Sequence, residues 1–447
     1  GKRIDTTEYL EFSGGIIMSR SAIFLNNIVD VEFLPYNTQG NVMNYSRFKE
    51  TTFETNDIEN TLFEPEAHII LDDIFSLRIE NCEFRYVEID YVSLPPEKRG
   101  TGILSYDGGL WIRPECLSPP NVNPCQLLDS CKFENLRYGI RAFSTGLNRN
   151  ISIHESVFNK CIAGIYISGF SQPEILLNEF YSSNGNITIQ GLEDPFYGDI
   201  YLDGCTGYHI EGNKFTCQYM YGGTPLITDI GIYIKDSGSD DNEIYNNEFE
   251  DMEAGIVIEG VNKGETSGLC VKCNDFETCM NDIIVVPNAW EGTYIGIRAT
   301  QGSNRNDVTA PAGNTFTTHN VAGVDIGSSN KYWWNYLNYC DDFIYYHHLK
   351  DEDPLTYPTE DNYTDSTITL YEQSTLVYSK SLACPSGISS GSSLKSFTDF
   401  TTTMNNAQME IDLLQDQYDT YVDGGNTDEM IVDILTSMPD DAMAIRQ

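Results

Sequence analysis

The run Lys235-Asp236-Ser237-Gly238-Ser239-Asp240-Asp241-Asn242-Glu243 offers three carboxylates, Asp236, Asp240 and Asp241, on one short stretch. Oxygen ligands so spaced suit Ca2+, which makes them the candidate metal residues and Ca2+ the one cofactor implied. The run lacks the ordered D-x-D-x-D-G of an EF-hand loop, and a solvated acidic turn is the plainer reading of it. Tyr332-Trp333-Trp334-Asn335-Tyr336 is the densest aromatic cluster. Trp333, Trp334 and Tyr336 are the candidate ligand-binding residues, able to stack on sugar rings; the plainer alternative is an aromatic plug on an open core. His347-His348 lies among Asp341, Asp342, Asp351 and Asp353, a conceivable transition-metal set. Neighbours on a strand face opposite ways, so at most one His would ligate. Cys270-x-x-Cys273 invites a metal or redox reading, set against buried thiols on an alternating strand. Carboxylate pairs such as Asp72-Asp73 and Asp341-Asp342 are weak evidence for glycoside hydrolysis, because 67 acidic residues make pairs by chance. There is no G-x-S-x-G, Walker loop or H-E-x-x-H. No residue is assigned a catalytic role.

The net charge of −41 and pI near 4.2 repel nucleic acid and anionic membranes and attract divalent cations. No apolar run of 18 residues suggests membrane insertion. The chain starts at Gly1 in repeat-like sequence and ends at Gln447 inside a helical pattern, which suggests a processed or truncated piece of a longer protein. Of twelve cysteines, Cys116 and Cys125 bracket a Pro-rich loop and are the best candidates for a bridge. Cys82 and Cys131 read as buried packing thiols.

The elements that would position these residues follow from a repeat. Aligned on Phe, it has apolar residues at −7 and −5, a small polar residue at −2, and an apolar pair at +7 and +9. Phe158 shows it fully, with Ile151, Ile153, Ser156, Ile165 and Ile167; Phe276 has Leu269, Val271, Asn274, Ile283 and Val285. Phe84, Phe133, Phe180, Phe215, Phe249 and Phe316 keep parts of it, Phe24 fits, and Phe53 is a weaker match. For Phe180 the +7 and +9 pair is read as Ile187 and Ile189. The alternation has period two, so the units are strands. Self-similarity at this period predicts a solenoid whose coils bury one another's apolar faces. Asn178, Asn213, Asn247, Asn274 and Asn314 at −2 would stack and satisfy backbone at a bend. Gly139, Gly164 and Gly255 are expected at a second bend needing positive φ. Insertions are expected at about 91–126, 190–206, 216–230 and 286–313, where loops often carry function.

This Asn-x-Phe template resembles right-handed parallel β-helix proteins of the pectate-lyase-like superfamily over roughly residues 12–330. That superfamily includes lyases, hydrolases, adhesins and inert stalks. Its lyases use carboxylate-held Ca2+ with an Arg or Lys base, which would place Ca2+ on Asp236, Asp240 and Asp241 beside Lys235. Its polygalacturonases carry Asp pairs near Gly-His-Gly, a motif this sequence lacks. The steps Ala383-Cys384-Pro385-Ser386-Gly387 and Asp423-Gly424-Gly425-Asn426-Thr427, then Pro439, Asp440, Ala442 and Arg446, are similar to large secreted proteins of Bacteroidota. That resemblance implies cargo of type IX secretion or a gliding-motility complex. Asp5-Thr6-Thr7 and Asp365-Ser366-Thr367 match that phylum's O-glycosylation pattern.

The expectation is an all-β, right-handed parallel β-helix of about ten coils over 1–340. Capping strands follow at 341–384, a Ser/Gly-rich linker at 385–393, and a short α-helical segment at 394–447. The expected role is a secreted or cell-surface adhesin or structural passenger that binds glycans without catalysis. Its partners would be polysaccharide or cell-surface and secretion-system proteins. A Ca2+-dependent polysaccharide lyase or glycoside hydrolase is the alternative.

Overall fold

The computed structural model describes most of residues 17–317, the strands Tyr332–Trp334, Phe343–Lys350 and Ile368–Tyr378, and Cys384. The longer gaps are 35–45, 57–64, 88–98, 118–126, 183–197, 287–295 and 303–311. Among the described residues the structure is all β. Three parallel sheets of nine, nine and ten strands are each visited once per turn of the chain, which makes a parallel β-helix. The fifth coil shows the plan: Ile151–His154 in the first sheet, Val157–Asn159 in the second and Ala163–Ser168 in the third. Among the described residues nine coils are complete, close to the roughly ten expected. Asn314 and Phe316 begin a further one, through the bridge of Asp275 to Thr315, and Tyr332–Trp334 ends the third sheet.

The repeat maps directly onto this plan. Residues at −7 and −5 line the first sheet, Phe the second, and those at +7 and +9 the third; all face one core. The phenylalanines form a ladder, with ring centroids 4.7–4.9 Å apart from Phe24 through Phe276 and planes within 11° of parallel. That is the interstrand spacing: strand register stacks the rings. Phe53, the weaker sequence match, is fully buried in this ladder.

The −2 column turns the first corner. Asn213 Oδ1 accepts from both the backbone N and the Nδ2 of Asn178, each at 2.9 Å, and Asn213 Nδ2 donates to Ile175 O and to Asn247 Oδ1. The same pattern runs on through Asn274 to Asn314. In earlier coils Thr51, Cys82, Cys131 and Ser156 fill the slot, all buried. The residue before this slot is left-handed in most coils, as at Asn81, Glu155, Leu177, Asn246 and Cys273.

Two expectations fail here, for physical reasons. Gly139, Gly164 and Gly255 have no positive φ; they lie within third-sheet strands. A Cβ on Gly139 would stand 2.7 Å from the Phe158 ring, on Gly164 2.8 Å from Phe180, and on Gly255 2.5 Å from Phe276. Glycine is required there by close approach of the next coil's ring, not by backbone conformation. The insertions are also narrower. Thr101–Tyr106 and Leu110–Arg113 are full sheet strands inside the expected 91–126 loop. Gly198–Asp203 lies inside 190–206, and it is Ile200 and Leu202, not Ile187 and Ile189, that pair with Ile165 and Ile167. Ile187 and Ile189 lie outside the described residues.

The chain divides into two compact units, Gly1–Cys384 and Pro385–Gln447. The second, which holds the helix expected at 394–447, lies outside the described residues. Within the first unit, Cys384 is disulfide-bonded to Cys273 of the ninth coil. The bond removes Cys273 from any Cys-x-x-Cys centre, and Cys270 is a free, half-buried thiol pushed up to about 11 by burial. Cys116 is disulfide-bonded too, while Cys125 lies outside the described residues.

Candidate ligand-binding face

Inward residues of every strand are spent on the core, so chemistry must come from outward ones. On the third sheet the middle residue of each Ile-x-Ile faces out. Register makes one column of Glu32, Ile70, Leu104, Arg141, Tyr166, Tyr201, Tyr233, Val257 and Ile284. Beside it runs Asp72, Tyr106, Phe143, Ser168, Asp203, Lys235 and Glu259. The aromatic members form a continuous row. Tyr106 stacks on Phe143 at 5.7 Å, Phe143 meets Tyr166 at 5.6 Å, and Tyr166–Tyr201 and Tyr201–Tyr233 are edge-to-face pairs at 4.9 Å. The Arg141 guanidinium lies 4.8 Å from the Tyr138 ring centre and 4.9 Å from that of Phe143. Tyr106 is exposed, Phe143, Tyr201 and Tyr233 are half-buried, and Tyr138 and Tyr166 are buried.

The polar edge of this row is acidic. Tyr233 donates its hydroxyl to Glu259. Asp203 is raised above the usual carboxylate range by burial, and Lys235, Asp236 and Glu259 act on it besides. Asp72 is raised by burial and by the Asp73 and Asp107 carboxylates. Asp73 itself turns away at a left-handed corner and pairs with Arg149 at 2.7 Å.

Trp333 continues this column by register, pairing with Ile284, while Tyr332 and Trp334 pair with Ile283 and Val285. Tyr336 lies outside the described residues, as do Asp341, Asp342, Asp351 and Asp353. His347 and His348 lie in Phe343–Lys350, in register with Glu372 and Gln373 of Ile368–Tyr378. Asp236 occupies a left-handed corner, and its Oδ1 accepts from Val261 N of the next coil at 2.9 Å. Asp240 is exposed, and Asp241 stands 3.7 Å from Arg298. Among the described residues no group of three or more His, Cys, Asp or Glu side chains could hold a metal ion. The Ile-Tyr-Ile and Ile-Tyr-Leu triplets at residues 165–167, 200–202 and 232–234 were the signal for the aromatic row, visible once the middle residue is assigned outward.

The outer face of the first sheet is the other polar surface. Ser152 Oγ is 2.8 Å from His154 Nε2 and 3.3 Å from Glu174 Oε2. The carboxylate is also nearest that same Nε2, at 3.6 Å. A nucleophilic triad needs the acid on the other ring nitrogen, so this is not one. Glu174, His209 and Glu243 are stacked in successive coils. Glu211 and Glu243 hydrogen-bond His209 at 2.6 and 3.2 Å. Against a burial effect that lowers it, these two carboxylates hold the imidazole up to about 9. Glu174 is held below its ordinary value, chiefly by the His154 hydrogen bond. Glycoside hydrolysis needs one carboxyl kept protonated, which Glu174 is not. Nearer the N-terminal coils, Arg47 and Arg78 both pair with Glu80, and Lys49 pairs with Glu115 at 2.8 Å. These pairs offset charge on the face, and Arg47–Glu80 and Lys49–Glu115 also tie coils together.

No family model matches this sequence, and no curated protein or solved structure matches it either.

Proposed function

We propose that this protein is a secreted or cell-surface β-helix that binds a glycan on the outer face of its third sheet without turning it over. The single observation that carries the reading is the row Tyr106, Phe143, Tyr166, Tyr201 and Tyr233, placed across successive coils and edged by hydroxyl, carboxylate and ammonium groups. Aromatic rings offer apolar area at little conformational cost, and the polar edge supplies the few directed hydrogen bonds that orient a ligand. An exterior location is supported by the Cys273–Cys384 disulfide, since such bonds persist in oxidising compartments. The buried free thiols Cys82 and Cys205 suit that setting: burial pushes each up to about 12, where the reactive thiolate is scarce.

The test is a panel of polysaccharides incubated with the intact chain, with and without Ca2+, scored for retention and for released product. Retention without product supports the reading. Unsaturated uronides or new reducing ends would replace it with a lyase or a hydrolase.

A further inference from the structure

We infer that the glycan is an uncharged polysaccharide chain running along the coil-stacking direction over Tyr106, Phe143, Tyr201 and Tyr233, and that the carboxylates beside these rings turn uronate polymers away. The inference rests on the third-sheet face being the binding site, and adds the ligand's direction and chemical class.

Direction follows from register. Tyr166, Tyr201 and Tyr233 occupy one position in three successive coils, and Tyr106 and Phe143 occupy the adjoining position in the two coils before them. A chain crossing the strands, with a ring every ~4.8 Å, meets all of them; one running along a single strand meets one or two.

Class follows from charge. The two outward columns carry four carboxylates, Glu32, Asp72, Asp203 and Glu259, and two cations, Arg141 and Lys235. Arg141 is laid over the Tyr138, Phe143 and Tyr166 rings, and Lys235 stands in register between Asp203 and Glu259. Neither cation is set out alone for an anionic ligand. The whole chain carries −41, so an anionic polymer is also slowed in its approach. Ionised carboxylates accept hydrogen bonds only, and a neutral sugar offers hydroxyl donors to them. A uronate would put like charge against like, and such juxtaposition is how interfaces reject wrong partners.

The experiment is calorimetric titration of the intact chain with a neutral hexose oligomer and with oligogalacturonate of equal length, at low and high salt. The neutral oligomer is expected to bind with little salt dependence, and the uronate about tenfold or more weaker, the gap narrowing at high salt. Tyr201→Ala with Tyr233→Ala should weaken the neutral oligomer about tenfold or more, with its circular dichroism and melting checked against the parent. Asp203→Asn with Glu259→Gln keeps the rings and should cut the neutral-over-uronate preference about tenfold. Equal or tighter uronate binding, or an unchanged preference in the charge variant, overturns the class while leaving the face intact. If no glycan binds, or the tyrosine variant binds like the parent, the face itself is wrong.

Discussion

Asn213 shows how much one side chain carries in this fold. Its amide bridges three coils: it accepts from Asn178 and donates to Ile175 O and Asn247 Oδ1, all within a fully buried corner. Replacing it by Ala leaves the Asn178 backbone N–H without its acceptor and takes one of two acceptors from Asn178 Nδ2, which keeps Ile153 O. An unsatisfied buried donor costs about 1–3 kcal/mol. Asn213→Ala should therefore lower the denaturation midpoint and speed amide exchange at Asn178. An unchanged exchange rate at that amide would show that water substitutes freely for the ladder. Thr51, Cys82, Cys131 and Ser156 fill the same slot in other coils, so the slot tolerates smaller groups where its neighbours match. The penalty at Asn213 comes from breaking a run, not from asparagine being indispensable.

The third-sheet strand carries a second kind of constraint. Its second position is Gly102, Gly139, Gly164, Gly231 and Gly255 in five of the nine described coils, and Asp30, His68, Asp199 and Asp282 in the other four. Gly164→Ala would place a methyl 2.8 Å from the Phe180 ring and 2.7 Å from Asp199 O. Overpacking of this kind costs about 1–3 kcal/mol, read as a lower melting temperature; no shift would mean that the Phe ladder yields easily. Asp30 is paired with His68, whereas Asp199 and Asp282 bury carboxyls, with no cation beside them among the described residues, where glycine is commonest. Burial raises Asp199 well above its ordinary value, with Asp229 adding to it, and pushes Asp282 up to about 7 against Thr317, which hydrogen-bonds it. An acid with a raised folded pKa holds its proton longer in the native state. Its contribution is therefore retained below the unfolded value of 3.8 and lost as pH climbs toward 7, at about 1.4 kcal/mol per pH unit within that window. Stability should fall from pH 5 to 7, and Asp282→Asn should flatten that fall; an identical pH profile in the variant would contradict it. The coil template was legible in the sequence because Phe, the −2 residue and the apolar pairs follow strict geometry. Ile187 and Ile189 misled because any Ile-x-Ile seven residues after Phe fits the template. Only pairing with Ile165 and Ile167 selects the true partners, Ile200 and Leu202. The glycines misled because the ring of a neighbouring coil, not local conformation, dictates them.

At the scale of the whole molecule, a solenoid has only nearest-neighbour contacts, so its stability is a sum of local terms and its ends are weakest. The Cys273–Cys384 bond acts against this at one end, joining residues 111 apart. In the chain-entropy account a closed loop of about 100 residues is worth about 4–5 kcal/mol. A compact two-state domain would spread that gain everywhere; a linear stack should confine it near the bond. Cys384→Ser is therefore expected to raise amide exchange in Leu269–Lys272, Asp275–Glu277 and the paired strands Phe343–Lys350 and Ile368–Tyr378. Arg47–Lys49 and Thr52–Asn56, at the far end, should exchange as before. If exchange rises equally in all coils, the stack unfolds as one unit and the nearest-neighbour picture fails. If it rises nowhere, the bond stabilises nothing that the coils do not already hold. The aromatic row proposed to bind glycan lies between these extremes, in coils three to seven, so the variant should keep whatever affinity the parent shows while its C-terminal coil exchanges faster. That separation also distinguishes a disulfide that protects the ninth coil from one that shapes the proposed binding face.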